Sequence, residues 1–291
     1  DALEVAVNTW ISNTQLAIRP DTKSVKDALR DIQTLNHFDS NLPTQTQRTA
    51  EQDEFPQSST PHAHPYVMAW VANLASNDVV LEPSAGTGNL ATMAAMAPID
   101  GLILNEFSER RAGLLASMEL GPVYRENAEY LHSGLPADAH PTVVIMNPPF
   151  SATAGRVKGK RDTKVGGQHV EQALARLRPG GRLVALVGEG MAADRPAFRD
   201  WWSAIRKKYN VRANIGISGE AYRKFGTTFD NQILVIDKTG PTKDPGAIIT
   251  GKVDQVEDLI GLLEVIRNDR THPGQQFLAE SGGQALAGPG S

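Results

Sequence analysis

The residues best suited to chemistry follow an apolar run, Thr142-Val143-Val144-Ile145-Met146, which leads directly into Asn147-Pro148-Pro149-Phe150 and then Ser151. Two prolines cannot continue a central strand, so Pro148 and Pro149 fix a stiff loop at a strand's carboxyl end, the edge where open α/β sheets place their ligands. An exocyclic amine on a purine is a weak nucleophile because its lone pair is delocalised into the ring. The Asn147 side-chain oxygen and the Pro148 carbonyl can accept its two N–H bonds, localising that lone pair for direct attack on a methyl donor. Phe150 offers a face on which a flipped base stacks. The purely structural alternative for the tetrapeptide is a rigid loop with a buried Phe.

A second constellation lies upstream. Val79-Val80-Leu81-Glu82-Pro83-Ser84-Ala85-Gly86-Thr87-Gly88-Asn89-Leu90-Ala91 reads as a strand, a Gly-rich turn and a helix, the arrangement that lets backbone approach a ligand closely. Gly86-x-Gly88-x-x-Ala91 fits a dinucleotide fingerprint, and Glu106 follows the next strand where it could hold ribose hydroxyls. Glu82 discriminates between ligands. A carboxylate at the strand end repels a pyrophosphate but suits the sulfonium and amino group of S-adenosylmethionine. The candidate donor site is therefore Glu82, Pro83, Ser84, Ala85, Gly86, Gly88 and Asn89, with Glu106 and Phe107 after the next strand. Asn127 and Ala128, between the second and fourth candidate strands, would meet an adenine edge. A Gly turn kept for packing and a surface turn at Asn127 are the alternatives.

Composition limits the remaining possibilities. The chain has 291 residues, 29 basic against 33 acidic, for a net charge of -4, so nucleic-acid binding must use a local patch. It contains no cysteine, which excludes disulfides, thiolate zinc sites and the cysteine nucleophile that cytosine C5 methylation requires. One local patch follows the catalytic loop: Arg156, Lys158, Lys160, Arg161 and Lys164 among glycines, able to clamp phosphates or simply to be solvated. His62-Ala63-His64 lacks an evident third metal ligand and reads as a helix-entry turn, so no metal is expected. Trp201-Trp202 reads as helix packing, and Glu189 ends a strand near the site with its role open, since direct methyl transfer needs no strong base.

The elements that must position these groups show a change of period. Residues 1–38 carry apolar positions at helical spacing with Pro20 between two candidate helices, residues 39–59 form a polar exposed connection, and a helix is expected over 66–75. Short β-branched runs at 79–81, 101–104, 142–146, 182–187, 211–217 and 232–236 then alternate with candidate helices at 89–97, 108–119, 168–177 and 196–208. That alternation argues for a mostly parallel sheet covered on both faces, with one of the last two strands antiparallel. A final helix is expected over 253–266, ahead of a Gly-rich tail at 281–291. The expected organisation is an N-terminal helical extension and connector (1–54), a core (55–240), and a C-terminal helix and tail (241–291). No apolar run is long enough for a membrane span, and the cytoplasm is the default location.

Thr60-Pro61, the 82–88 loop, Asn105-Glu106 and Asn147-Pro148-Pro149-Phe150, in that order, resemble the amino-methyltransferases that modify adenine in DNA, over residues 55 to about 237. Leu104-Asn105-Glu106 with Arg111-Ala112-Gly113-Leu114-Leu115, residues 146–152, Gly180-Gly181-Arg182-Leu183-Val184-Ala185 and Phe225-Gly226-Thr227-Thr228 more narrowly resemble the methylase-like domain of bacterial strawberry-notch-type methylase/helicase proteins. The resemblance implies a class I S-adenosylmethionine-dependent, Rossmann-like sheet of seven strands, mostly parallel, with a reversed last strand and helices on both faces. It implies that Thr60 and Pro61 flank the donor's amino-acid end, that Glu106 holds its ribose, and that Asn127 stands where Asp is more usual. The activity it implies is methyl transfer to adenine N6 of a flipped base in DNA, with a covalently linked helicase domain as partner. Such enzymes commonly carry a separate recognition domain after the core, and the residues after Gly240 are too few to build one. RNA guanine or protein glutamine amino-methylation, or a catalytically weak donor-binding nucleic-acid module, are the alternatives.

Overall fold

The computed structural model describes residues 1–14, 17–42, 60–149, 165–219 and 230–272. Phe150 and the cations Arg156, Lys158, Lys160, Arg161 and Lys164 lie outside the described residues, as does the 225–228 motif.

Every expected strand is present, and two more join them. In chain order the described elements are α1 (Ala2–Thr14), α2 (Val25–Asn41), α3 (Ala63–Ala72), β1 (Val79–Glu82), α4 (Asn89–Ala95), β2 (Gly101–Asn105), α5 (Glu109–Ala116) and β3 (Val123–Tyr124). They continue as α6 (Leu131–Gly134), β4 (Val143–Met146), α7 (Val165–Arg176), β5 (Arg182–Gly188), α8 (Arg199–Lys208), β6 (Asn210–Ile217), β7 (Asn231–Asp237), β8 (Ile249–Val253) and α9 (Asp258–Asn268). The sheet has eight strands in the order β3-β2-β1-β4-β5-β7-β6-β8, one more than the seven expected. β7 runs antiparallel to both β5 and β6, which places the reversed strand as the resemblance implied. β8 adds in parallel to β6, from Ala213↔Ile249 to Ile217↔Val253. Consequently the last helix begins at Asp258 rather than 253.

β4 shows why a continuous apolar run is needed at the centre. All four of its residues are buried, with Val143 and Ile145 entering one core and Val144 and Met146 the other. Successive side chains point to opposite faces of a strand, so a sheet covered on both faces needs apolar residues at every position. The first core is closed by α1, α2, α3, α4 and α9, the second by α7 and α8. The N-terminal helices are part of that packing: Ile11 of α1 and Ile32 and Leu35 of α2 are fully buried in the first core. α3 is buried along its whole length, which its sequence AHPYVMAWVA permits because it carries almost no charge.

The amino edge of the sheet is closed by ion pairs. Arg182, at the start of β5 and fully buried, donates from Nε and Nη2 to Asp237 at 2.7 and 2.9 Å, and from Nη1 to the carbonyls of Val71 and Ile266. Arg270, just past α9, donates to both carboxylate oxygens of Asp78 at 2.8 and 2.7 Å and to the Ala72 and Asn73 carbonyls. Burial works against ionisation of Asp78. The nearby His272 ring, with Nδ1 3.7 Å away, and the hydrogen bonds from Arg270 and Thr142 more than offset it and hold the carboxyl well below its usual range.

Candidate active site

The strand order reverses between β1 and β4, whose residues Val80 and Leu81 pair with Val143 and Val144. In open sheets a reversal of this kind sends the loops of the two strands to opposite sides and makes the carboxyl-edge crevice in which ligands bind. Both constellations read from the sequence end at this crevice.

The β1 side carries the glycine loop. Ala85 N–H donates to the Asn105 carbonyl and Gly88 N–H to the Ala85 carbonyl, both at 2.8 Å, which curls residues 85–88 into a turn. Gly86 and Gly88 have φ of 54° and 88°, the left-handed region in which a side chain is strained. A Cβ on Gly88 would also come within 3.0 Å of Leu115 Cδ1 and 3.1 Å of Met118 Sδ. The loop passes directly into α4, with Asn89 buried at its first turn.

Glu82 ends β1 and is 2% exposed, and its Oε2 has no hydrogen-bond partner among the described residues. Burial pushes its carboxyl well above the usual range; the Ala91 backbone N–H only partly counters this, and Glu106 adds to the push. An orphaned buried carboxyl oxygen beside a second carboxylate is a place for a positive, hydrogen-bond-donating group.

Glu106 is buried too, and it braces the loop from within. Its Oε2 accepts from Gly86 N–H at 2.8 Å, and its Oε1 from Ser108 N–H at 2.8 Å and Arg111 Nε at 3.3 Å. Asn105, one residue earlier, clamps the loops on either side: Nδ2 donates to the Pro83 and Glu126 carbonyls, and Oδ1 accepts from Glu126 N–H. Asn105 and Arg111, which the sequence offers only within motifs of resemblance, hold the geometry of the crevice wall. Phe107 is 56% exposed at the end of β2, an apolar ring left facing solvent at this edge. Pro83 and Ala85 are buried, Ser84 is half-buried, and Ala128 is buried after β3. Asn127 is exposed and its oxygen accepts from Glu129 N–H at 3.0 Å, capping the short turn Ala128–Tyr130. In this structure, then, the side chain does the work of a surface turn.

The β4 side presents Asn147, half-buried, followed by buried Pro148 and half-buried Pro149. Asn147 Nδ2 donates to the Thr60 hydroxyl at 2.9 Å. Thr60 is itself buried, and its carbonyl accepts from Asn89 Nδ2 at 2.8 Å. Thr60, Asn89 and Asn147 therefore tie the segment before α3 to the loops of both β1 and β4. Pro61 is buried beside them and its carbonyl takes the His64 N–H.

His62 has both ring nitrogens in contact with protein groups, Nδ1 with Asp39 Oδ1 at 2.5 Å and Nε2 with Asn8 Oδ1 at 3.1 Å. The polar composition of residues 39–59 predicts an exposed Asp39; it lies instead in the last turns of α2, 6% exposed, because the His62 ring and backbone N–H draw it inward. Trp202 is buried in α8 and donates to the Met191 carbonyl at 2.9 Å, with Trp201 edge-on to it at 4.7 Å, so the pair packs the helix. Glu189 pairs with Arg195.

No family model matches the sequence, and no curated protein matches it. Solved structures do resemble it. A protein of Vibrio vulnificus described as the modification subunit of a type I restriction enzyme matches at TM-score 0.57 and 16% identity, over 85% of this chain and 59% of that one. A Listeria monocytogenes protein described as a class I S-adenosylmethionine-dependent methyltransferase matches at 0.53 and 16%, over 87% of this chain and 81% of that one. A Pyrococcus horikoshii protein described as an RNA methyltransferase matches at 0.50 and 15%, over 72% and 96%. The chain thus spans little more than half of the first of these. At such identities the likeness establishes the fold, that of the class I S-adenosylmethionine-dependent methyltransferases.

Proposed function

We infer that the chain is an S-adenosylmethionine-dependent methyltransferase acting on an exocyclic amine, with adenine N6 in DNA as the acceptor. The observation that carries this reading is the Asn147 amide: its nitrogen is held by Thr60 at the crevice between β1 and β4, leaving its oxygen for an incoming N–H.

The donor fits the residues present. The orphaned Glu82 oxygen suits a cationic ligand, the positive-φ glycines let backbone approach it, and Phe107 offers an apolar face at the same edge. Glu82, Pro83, Ser84, Ala85, Gly86, Gly88 and Asn89 would hold it, with Thr60 and Pro61 at its amino-acid end, Glu106 at the ribose and Asn127 and Ala128 near the adenine. When bound, it supplies a methyl group on a sulfonium, which nitrogen can accept directly. Asn147 Oδ1 and the Pro148 carbonyl accept the two N–H bonds of the target amine and keep its lone pair on nitrogen as positive charge develops there. No covalent attachment to the protein is required, in keeping with the absence of cysteine.

DNA as acceptor is supported by the order of the sequence motifs and by the fold likeness to a restriction-enzyme modification subunit. From the sequence, Phe150 would stack the flipped adenine, and Arg156, Lys158, Lys160, Arg161 and Lys164 would meet phosphates. A linked helicase domain, the cytoplasm as location, and a core at 55–240 flanked by the 1–54 and 241–291 segments complete the reading. Incubation with methyl-labelled donor and DNA, RNA or protein tests it. Label on adenine N6 in DNA is expected. Label only in RNA or protein would replace the acceptor, and no label in any would leave a donor-binding module.

A further inference from the structure

A chain of buried polar side chains runs from α2 to the crevice. Asp39 Oδ1 meets His62 Nδ1 at 2.5 Å, and His62 Nε2 meets Asn8 Oδ1 at 3.1 Å. Asn8 Nδ2 donates to Asn89 Oδ1 at 2.6 Å and to the Thr87 carbonyl at 2.9 Å. Asn89 Nδ2 donates to the Thr60 carbonyl at 2.8 Å, and the Thr60 hydroxyl accepts from Asn147. Asp39, His62, Asn8, Asn89 and Thr60 are all less than 9% exposed.

The direction of the Asn89 and Asn8 bonds is fixed by two backbone carbonyls, which can only accept. The Thr60 carbonyl requires the Asn89 nitrogen, so the Asn89 oxygen faces Asn8. The Thr87 carbonyl likewise requires the Asn8 nitrogen, so the Asn8 oxygen faces His62. Nε2 of His62 therefore faces an acceptor and is the donor in that contact, while Nδ1 meets an Asp39 carboxylate oxygen. Every member has its partner, the condition under which a buried polar network rigidifies its surroundings. Asn8 interrupts the buried Val5, Ile11 stripe of α1, which an amphipathic helix would fill with an apolar residue if packing were its only task.

We propose that Asn8, His62 and Asp39 are positioning residues: through Asn89 and Thr60 they hold the Asn147 amide in place at the crevice between β1 and β4. The proposal rests on the methyltransferase reading for its consequence in turnover, but the ordering of Asn147 can be read without turnover.

Asn8→Ala removes the link, and Asn8→Asp keeps its shape while setting an oxygen against the Thr87 carbonyl and Asn89 Oδ1. Side-chain 15N–1H spectra of the full chain should show a proton on His62 Nε2. The Asn147 side-chain amide protons should exchange with solvent at least tenfold faster in both variants, their folding checked by thermal melting. If the chain is a methyltransferase, kcat falls about 10- to 100-fold, the range for a misplaced catalytic group, while KM for the acceptor stays within about twofold. A bare Nε2 in the wild type, or unchanged Asn147 exchange in whichever variant folds, overturns the proposal. Wild-type protein that transfers no methyl overturns the methyltransferase reading alone, because the exchange measurement still decides the positioning role.

Discussion

Asn147 Nδ2 lies 2.9 Å from Thr60 Oγ1, a bond across 87 residues of sequence that joins the β4 loop to the segment entering α3. It holds the Asn147 side chain beside Thr60 at the β1–β4 edge, so the β4 loop and the entry to α3 keep one another in place.

Asn147→Ala should lower the methylation rate by about 100-fold or more, the scale of losing a preorganised polar contact. Donor affinity should change little, because the glycine loop and Glu82 remain. Single-turnover rates and donor titration calorimetry on the same variant check both halves, and a normal rate would remove Asn147 from the mechanism.

Glu82→Gln should weaken donor binding by about tenfold or more, the loss of a hydrogen bond to a charged group. In the empty wild type the Glu82 carboxyl is held above its unfolded value, so the native state keeps a proton that the unfolded state has lost. Its stabilising contribution is complete below the usual carboxylate range and disappears as pH rises through the folded value. The Gln variant should therefore melt at a higher temperature than wild type near neutral pH, with the difference closing in acid. Because a cationic donor favours the ionised carboxyl, wild-type affinity should rise with pH and that of the variant should not. Melting curves and calorimetry at several pH values provide the check.

Replacing Lys158, Lys160 and Arg161 with Ala should weaken DNA binding similarly across sequences. On duplex DNA each lost phosphate contact flattens the log–log salt dependence by about 0.9, so the triple variant should lose about two to three units of slope. Binding measured over a range of salt concentrations tests this; an unchanged slope would make the segment a solvated loop.

Arg270→Leu strips two hydrogen bonds from Asp78, whose side chain is fully buried, and frees the Ala72 and Asn73 carbonyls. Breaking a buried pair from one side typically costs about 3–5 kcal/mol, and denaturant unfolding should show a loss of that order.

The sequence was most legible where a single period dominates. The strands at 79–82, 143–146 and 182–188 are nearly unbroken apolar runs because both their faces are covered. β3 has only two residues, too few to show any period, and β8 reads Ile-Thr-Gly-Lys-Val, with its middle exposed and no alternation to follow. In the site, the residues with distinctive chemistry were visible: Glu82, Gly86, Gly88 and Asn147 all lie at the β1–β4 crevice. Asn8, Asp39 and Arg111 were not visible as site-builders, because their partners lie 81, 23 and 5 residues away and only the folded backbone brings them together. The one local sign was a polar residue on the apolar face of α1.

β8 has a further consequence, for how copies of this chain behave beside one another. β6 is apolar through most of its length, and from Ala213 to Ile217 it is the strand to which β8 attaches. Left bare, that row of amides and carbonyls would invite a strand from a neighbouring molecule. With β8 in place the outermost strand is five residues long, has Gly251 at a positive φ of 136°, and carries Lys252, which pairs with Asp230. A short, glycine-interrupted, charged border of this kind gives intermolecular strand pairing little to extend, so this end of the sheet is guarded against aggregation.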